Sequence, residues 1–336
     1  MKITFNGAAE MVTGSCHYIE TEKTKFLIDC GMFQGSVKET KLNHEEFTFN
    51  PSELDFVILT HCHIDHSGRL PMLVKQGFKG KIFMTPPTKD LVEILLLDSA
   101  KIQLQDQEKS KDDDIDLSDV LYTEDDVYET IQYFYPLRYE KSFTEKNIHF
   151  TYHNAGHLLG SAYVEIDHKD KKIIFSGDLG HESSLLQNPP ASLKKADYVF
   201  MESTYGNRVH EHIDLRLENL YREVFTTIDN NGTIIIPAFS VGRTQEMLYS
   251  LKLYAIKNNR YDDFKKTPIY IDSPLAINAT EIYLKNLDYL RDDITKEYIK
   301  YENVHIVKTM KESIGLNFNN SPKIIISAAG MCDAAR

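Results

Sequence analysis

The sequence predicts an α/β protein built from two unlike parts. The first two hundred residues consist mainly of short strands and turns that helices interrupt, whereas the rest repeats strands that run into helices. The charge distribution changes at the same place: residues 1–206 hold 21 basic and 33 acidic side chains, and residues 207–336 hold 17 of each. We therefore predict one domain over residues 1–206 and a second over residues 207–336.

The first part is predicted to form stacked sheets flanked by helices, because its strands are separated by turns more often than by helices. Two amphipathic helices are expected, over Thr88 to Gln107 and Glu124 to Phe134. The predicted strands are Lys2 to Phe5, His17 to Glu20, Lys25 to Asp29, Asp55 to Thr60, Lys81 to Met84, His149 to Tyr152, Tyr163 to Asp167, Lys172 to Ser176 and Tyr198 to Glu202.

The second part is predicted to be a parallel, doubly wound sheet. Three apolar strands each run into a turn of small residues and then a helix: Thr233 to Phe239, Ile269 to Asp272 and Lys323 to Ser327. In such folds the helix N-termini gather at the carboxyl edge of the sheet, where backbone N–H groups favour anions.

Two of these turns carry candidate phosphate-binding residues. They are Ser240, Gly242 and Arg243 in one turn and Ser273 in the other. Neither turn has a P-loop or dinucleotide-binding pattern, so ordinary helix capping is the alternative interpretation.

Composition excludes several classes of protein. The longest apolar stretches fall far short of the roughly 20 residues that span a bilayer, so no membrane segment is expected. Four scattered cysteines, Cys16, Cys30, Cys62 and Cys332, make no disulfide framework, and the first ten residues lack a signal-peptide pattern. Both observations predict a cytoplasmic location. A net charge of −12 argues against bulk electrostatic coating of nucleic acid, and the acidic run that includes Asp112, Asp113, Asp114 and Asp116 is interpreted as a solvated connector.

The strongest chemical signal is the run His61-Cys62-His63-Ile64-Asp65-His66, which follows a predicted strand. In an extended segment alternate side chains share a face, so His61, His63 and Asp65 are expected to point one way, with Cys62 packed inside. Imidazoles together with a carboxylate suit a metal such as zinc. The alternative is a surface loop that happens to be rich in histidine.

Two further polar residues occur at predicted strand ends, His157 and Asp178. They supply a third imidazole and a carboxylate able to bridge two metal ions. Most of the other histidines are expected on solvated faces: His44, His149, His153, His168, His181, His210, His212 and His305.

This order of residues resembles the metallo-beta-lactamase superfamily, whose fold is an αββα sandwich holding one or two zinc ions. Further motifs resemble its beta-CASP branch of RNA-processing nucleases, related to the cleavage and polyadenylation endonuclease, in which a parallel α/β domain is inserted. These motifs are Glu202 to Gly206, Pro237 to Glu246, Ile271 to Ala276 and Ser327 to Met331.

The resemblance implies two zinc ions and assigns their ligands position by position. One zinc takes three histidines, the other takes an aspartate and a histidine, and a further aspartate bridges them: His61, His63 and His157; Asp65 and His66; and Asp178. It makes Asp29 the residue that orients ligands, Glu202 a signature acid of the site, and Asp65 or Asp178 the group that steers the proton of the attacking water.

The implied activity is hydrolysis of single-stranded RNA by a zinc-bound hydroxide, as an endonuclease or a 5'-to-3' exonuclease, with the second domain capping the zinc cleft. Two alternatives remain: a small-molecule hydrolase of the same superfamily, such as a thioesterase or lactonase, and a zinc- and RNA-binding module without turnover. A homodimer is also considered.

One departure from the family pattern concerns the end of the sequence. The family expects two more histidines, a general acid and a ligand to the second metal, in a segment that returns to the sandwich. The predicted helix capped by Asp333 has only begun at Arg336. We therefore expect a truncated chain with an incomplete second domain, a weakly bound second zinc and low turnover.

Overall fold

The protein is described here by a computed structural model. The structure describes residues 1–110, 120–193, 195–299 and 301–328. The acidic run at Asp112 to Asp116, together with Cys332, the end of the motif Ser327 to Met331 and the predicted cap Asp333, lies outside these ranges.

The described contacts divide the chain into two compact units. The first comprises residues 1–182 and 189–204, and the second comprises residues 183–188 and 205–336. The boundary predicted after Gly206 remains a prediction.

The first unit contains a mixed sheet of six strands in sequential order. The first three strands along the chain pair antiparallel, and the third to sixth strands pair parallel. The strands are β1 (Lys2–Phe5), β2 (His17–Glu20), β3 (Lys25–Ile28), β4 (Phe56–Ile58), β5 (Lys81–Met84) and β6 (Phe134–Pro136).

A second sheet of five strands completes this unit, in the order β11, β10, β9, β8, β7. It is antiparallel except for the parallel pair of β10 with β11. Its strands are β7 (Ser142–Glu145), β8 (Ile148–Asn154), β9 (Ala162–His168), β10 (Lys171–Phe175) and β11 (Tyr198–Phe200).

The two sheets pack face to face through alternate apolar side chains. Phe26, Phe56 and Phe83 of the first sheet share one buried cluster with Phe150 and Phe175 of the second. Because side chains alternate along a strand, this one core fixes which residues face inward. The helices of the unit are α1 (Val37–Lys41), α2 (Ile64–Ser67), α3 (Leu70–Lys75), α4 (Pro86–Ser110) and α5 (Glu124–Ile131), with 3₁₀ turns at Leu42–His44 and Pro51–Glu53.

The second unit contains a parallel sheet of four strands, in the order β12, β15, β13, β14. These strands are β12 (Thr233–Pro237), β13 (Ile269–Asp272), β14 (Val304–Ile306) and β15 (Lys323–Ser327). Its helices are α6 (Ile213–Asp229), α7 (Arg243–Lys257), α8 (Tyr261–Lys266), α9 (Pro274–Lys285), α10 (Lys296–Ile299) and α11 (Met310–Leu316), with a 3₁₀ turn at Leu287–Tyr289. Side chains of α6, α7, α8 and α9 form one core with one face of this sheet.

The predicted fold class is confirmed: sandwiched sheets precede a parallel α/β unit. Three strands were not predicted, β6, β7 and β14, and each is only three or four residues long. The predicted helix Glu124 to Phe134 ends at Ile131, because Phe134 pairs with Ile82 of β5. Within the described residues no helix is long and apolar enough to cross a membrane.

The expectation that the remaining histidines lie on solvated faces is wrong for two of them. His153 is buried on β8, where its ring stacks on Tyr163 and Nδ1 lies 2.7 Å from Glu140 Oε1. His168 is buried at the end of β9. Both lie on interior strands of the second sheet, where side chains of the next strand cover them, as Tyr163 of β9 covers the ring of His153.

Candidate functional site

Three chain segments carry the ligand-type side chains of the first unit, and each leaves a strand. His61 and His63 follow β4, His157 lies in the connection from β8 to β9, and Asp178 follows β10. The segments are joined by main-chain hydrogen bonds, since Ala162 N donates to Thr60 O and Gly180 N donates to Ala155 O. The sandwich thus brings residues that are more than a hundred positions apart to one place.

Four of these side chains converge so closely that their ligand atoms all lie within 4.8 Å of one another: His61, His63, His157 and Asp178. Nε2 of His61 and Nε2 of His157 each lie 3.2 Å from Nδ1 of His63, and each lies 3.6 Å from Oδ2 of Asp178. A metal bonded tetrahedrally at about 2.0–2.1 Å separates its ligand atoms by about 3.3 Å. The four side chains therefore fit one tetrahedral metal ion.

The second oxygen of Asp178 faces a different histidine. Its Oδ1 lies 3.1 Å from Nε2 of His66, which is in turn 3.8 Å from Oδ2 of Asp65. One carboxylate oxygen thus faces the three-histidine group, and the other faces the pair Asp65 and His66. This is the arrangement expected of a carboxylate between two metal ions.

The local conformation of the histidine-rich run differs from the prediction. An extended segment was expected through Asp65, but residues Ile64–Ser67 form helix α2, with His63 as the residue before its first turn. Asp65 therefore reaches the site from a helix rather than by strand alternation. Cys62 is fully buried, as predicted, and burial raises the pKa of its thiol well above the usual range.

Asp29 is a buried residue whose hydrogen bonds join the segments around the site. Its buried carboxylate accepts hydrogen bonds from Thr60 N at 2.8 Å and from the hydroxyls of Ser15 and Thr60 at 3.0 Å, and its Oδ2 lies 2.7 Å from Nδ1 of His66. The Thr60 hydroxyl that donates to Asp29 also lies 3.1 Å from Nδ1 of His61. It can therefore accept a hydrogen bond from the N–H of that nitrogen, which leaves Nε2 of His61 unprotonated and available to a metal.

Sequence reasoning missed Thr60 and Ser15. Thr60 had a local signal, since it is polar, ends a predicted strand and directly precedes His61. Ser15 had none, because its contact with Asp29 spans 14 positions and depends on the pairing of β2 with β3.

The electrostatics of the site favour neutral imidazoles at His61 and His63. Burial lowers the pKa of His61 well below its usual value, and it lowers the pKa of His63 to about 4, with the neighbouring histidine charges adding to both effects. Neutral imidazole is the form that binds metal. His66 differs: burial opposes its protonation, but the negative charges of Asp29 and Asp178 outweigh burial and raise its pKa.

The backbone packs so closely around the site that two glycines are required. A Cβ on Gly31 would lie 1.6 Å from the carbonyl oxygen of Asp65, and a Cβ on Gly180 would lie 1.8 Å from that of Gly156. The second contact presses the segment after Asp178 against the segment that carries His157. Any side chain there would push two ligand segments apart.

Glu202 lies beside the segment of Asp178 rather than in the four-residue cluster. Its carboxylate accepts hydrogen bonds from the backbone N–H of Leu179 at 3.1 Å and of Thr204 at 3.4 Å. Its own N–H donates to the Ser176 hydroxyl at 3.0 Å. These contacts tie Glu202 to Ser176 before Asp178 and to Leu179 after it.

The second unit brings its candidate substrate-binding residues to the carboxyl edge of its parallel sheet. Ser240 and Ser273 share a hydrogen bond of 2.8 Å between their hydroxyls. Ser273 caps α9 through the Ala276 N–H, and Gly242 precedes α7 with a φ of 85°, a backbone conformation that favours glycine. Capping, the alternative interpretation, therefore applies to Ser273 at least.

Gln245 and Arg243 make the other contacts described at this edge. Gln245, which is buried, accepts from Gly242 N at 2.8 Å and donates to Ser240 O at 3.1 Å and to Ala276 O at 3.2 Å. It ties the turn before α7 to helix α9. The Arg243 guanidinium is exposed and lies 2.7 Å from a carboxylate oxygen of Glu246.

Two protein-family models match the chain. The model described as the metallo-beta-lactamase superfamily matches residues 10–212, which include every residue of the candidate metal cluster. The chain belongs to the metallo-beta-lactamase superfamily. A second model, the Beta-Casp domain, matches residues 244–336. The resemblance to the beta-CASP branch is thereby confirmed.

Three relatives each match 88% or more of this chain. Ribonuclease TTHA0252 of Thermus thermophilus is 32% identical over 342 residues, which cover all of this chain and 74% of the relative. Transcription termination factor FttA of Methanosarcina mazei is 31% identical, with 88% of this chain and 45% of the relative covered. Endoribonuclease YSH1 of Kluyveromyces lactis is 26% identical, with 97% and 43% covered. The chain thus spans about three quarters of the first relative and less than half of the other two.

Among solved structures, a protein of unknown function from Enterococcus faecalis matches 98% of this chain and 77% of its own length, with a TM-score of 0.52 and 11% sequence identity. That likeness supports the fold alone.

Proposed function

We propose that the protein is a zinc-dependent ribonuclease that hydrolyses phosphodiester bonds in single-stranded RNA. The observation that carries the proposal is the convergence of His61, His63, His157 and Asp178 at tetrahedral spacing. The relatives named as ribonucleases, which match this chain over nearly its whole length, support RNA as the substrate.

The geometry of the first unit supports two sets of proposed ligands. His61, His63 and His157 would hold one zinc ion, Asp65 and His66 would hold a second, and Asp178 would present one oxygen to each. Bound zinc supplies a Lewis acid that lowers the pKa of water and neutralises charge on a phosphoryl group. The second ion has fewer protein ligands among the residues described, so we expect it to bind more weakly than the first.

The carboxylates of the chain have separate roles in this proposal. Burial opposes ionisation of Asp178, but the neighbouring histidines outweigh burial and lower its pKa, so it stays in the ionised form that would bind metal. Asp65, whose side chain is 20% exposed, would bind the second ion through one carboxylate oxygen and accept the proton of the attacking water through the other. As the water oxygen bonds to phosphorus, the bond from phosphorus to a ribose oxygen would break, and that ribose oxygen would leave with the departing strand. Glu202 and Asp29 act by position: the first holds the backbone beside Asp178, and the second orients His66.

RNA binding is proposed for the carboxyl edge of the second unit. The N-termini of α7 and α9 present backbone N–H groups there, beside the hydroxyls of Ser240 and Ser273 and the turn at Gly242. Arg243 adds an exposed positive charge for a backbone phosphate. Because the net charge of the chain is negative, RNA binding would depend on a few polar and positive groups at defined positions rather than on bulk positive charge.

The decisive experiment measures turnover on end-labelled single-stranded RNA, with zinc added or removed, beside a lactone and a thioester as small-molecule substrates. We expect zinc-dependent cleavage of RNA only, and the lengths of the products report endonuclease or exonuclease action. Cleavage of a small substrate instead of RNA would favour the alternative hydrolase. RNA binding without any cleavage would favour the non-catalytic module.

A further inference from the structure

Phe239 is an exposed aromatic residue on a rigid turn. Phe239 lies in the turn between β12 and α7 and is 53% exposed, whereas Ala238 and Val241 of the same turn are buried. Ala238 N donates to Ser327 O at 2.9 Å, and Phe239 O accepts from both the N–H of Thr244 at 3.1 Å and its hydroxyl at 2.9 Å. The backbone on each side of the ring is therefore fixed, and the ring is presented to solvent by a constrained turn.

Exposure alone does not identify a binding residue, because single apolar side chains are common on protein surfaces. The second unit supplies a comparison in Phe318, which is 80% exposed. Phe318 precedes β15 and so lies at the amino edge of the parallel sheet, whereas Phe239 follows β12 at the carboxyl edge. The two rings are equally apolar but have different surroundings.

The surroundings of Phe239 suit a nucleotide. The next residue, Ser240, shares a hydrogen bond with Ser273, and the turn leads into the N-terminus of α7, where Arg243 presents an exposed guanidinium. Hydroxyls, a helix N-terminus and a cation bind phosphate oxygens, but none of them binds the flat face of a base. An aromatic ring in the same turn supplies that missing contact.

We propose that Phe239 is a stacking platform for an unpaired base of the RNA, an inference that rests on the proposed function of the second unit. Base stacking on an aromatic side chain tolerates any sequence, because every base has a π face. Phe239 would thus favour single strands over duplexes, whose bases are already stacked, without selecting a particular base. In this arrangement the phosphate-binding groups position the backbone and the ring positions the base.

The test is equilibrium binding of a fluorescent 12-nucleotide RNA, compared with a 12-unit strand of the same backbone that lacks bases. All measurements use chelator-treated protein, so that cleavage does not interfere. Phe239→Ala should weaken binding of the RNA about 5- to 100-fold and leave binding of the abasic strand unchanged. Phe239→Tyr should retain most of the wild-type affinity, and the matched control Phe318→Ala should bind like the wild type.

Three outcomes separate this inference from the proposed function. If Arg243→Ala weakens RNA binding but Phe239→Ala does not, the stacking role is wrong and RNA binding stands. If Phe239→Ala weakens the RNA and the abasic strand equally, the ring acts on the turn rather than on a base, and the stacking role is again wrong. If the wild type binds neither strand, both proposals fail together. Thermal melting of each variant checks that the fold is retained.

Discussion

Asp29 and His66 form a buried contact beside the candidate metal cluster, with Oδ2 of Asp29 2.7 Å from Nδ1 of His66. The contact leaves Nε2 of His66 directed at Asp178 Oδ1 and Asp65 Oδ2. A carboxylate behind a metal-binding imidazole fixes the ring and raises its basicity. In the described part of the chain Asp29 contacts His66 directly and reaches His61 through the Thr60 hydroxyl, so its influence should fall mainly on the second metal ion.

We therefore predict that Asp29→Asn weakens the second zinc by about 10- to 100-fold and changes the first much less. The amide keeps the size of the carboxylate but removes a charge that His66 faces. Zinc titration followed by calorimetry should show one tight and one weakened step. The control is Asp170→Asn in the exposed turn between β9 and β10. Equal loss at both steps would mean that Asp29 maintains the fold rather than the orientation of His66.

The first ion depends on the three-histidine group, so removal of either His61 or His63 should abolish most zinc binding. Each supplies a ring nitrogen that lies 3.6 Å or less from at least one other ligand atom of the cluster, and a tetrahedral site rarely survives the loss of a ligand. Metal analysis of His61→Ala and His63→Ala, after loading with zinc and desalting, measures the loss. His305→Ala, an exposed residue of β14, is the control. A wild type that retains less than about one equivalent would show that the ligand assignment is wrong.

Substitution of Arg243 tests whether this residue contacts RNA or only forms an ion pair with Glu246. Its guanidinium already lies 2.7 Å from Glu246, but the side chain is exposed, and a surface ion pair of this kind contributes little to stability. We expect Arg243→Ala to weaken RNA binding evenly across sequences and to reduce its salt dependence by about one phosphate contact. Affinity measured from low to high salt checks both. The same change at Arg222, an exposed residue of α6, should alter neither, and an unchanged salt slope for Arg243→Ala would restrict that residue to its pair with Glu246.

The sequence predicted the site better than the conformation that builds it. Ligand-type residues at strand ends were recognisable because buried strands have clear apolar patterns, and the carboxyl ends of neighbouring strands meet at one edge. The start of helix α2 was not, because its N-cap residue, His63, makes no capping hydrogen bond with its side chain and is itself a proposed ligand. The short strand β6 was also missed: it carries Pro136 and pairs with β5 alone.

Contacts between distant segments were the other part that the sequence did not reveal. Nothing near Ser15 indicates that its hydroxyl reaches Asp29, and nothing near His153 indicates that Glu140 and Tyr163 enclose its ring. Each contact depends on strand register, which the packing of the whole sandwich determines.

The close approach of Gly180 to Gly156 gives a prediction about stability as well as binding. Gly180 has no side chain, and an added Cβ would lie 1.8 Å from Gly156 O and 2.6 Å from His157 N, so the backbone has to move. We expect Gly180→Ala to destabilise the protein by about 3 kcal/mol and to lower the melting temperature of the first unit by roughly 6–12 °C. It should also weaken zinc binding, since the shift separates His157 from Asp178.

The matched control is Gly315→Ala in helix α11, where nothing lies within 4 Å of an added Cβ. That variant should melt at the wild-type temperature or slightly above it, because alanine favours a helix over glycine. Differential scanning calorimetry, with and without zinc, measures both effects. A Gly180→Ala protein that melts and binds zinc like the wild type would show that the two ligand segments are not held in contact in solution.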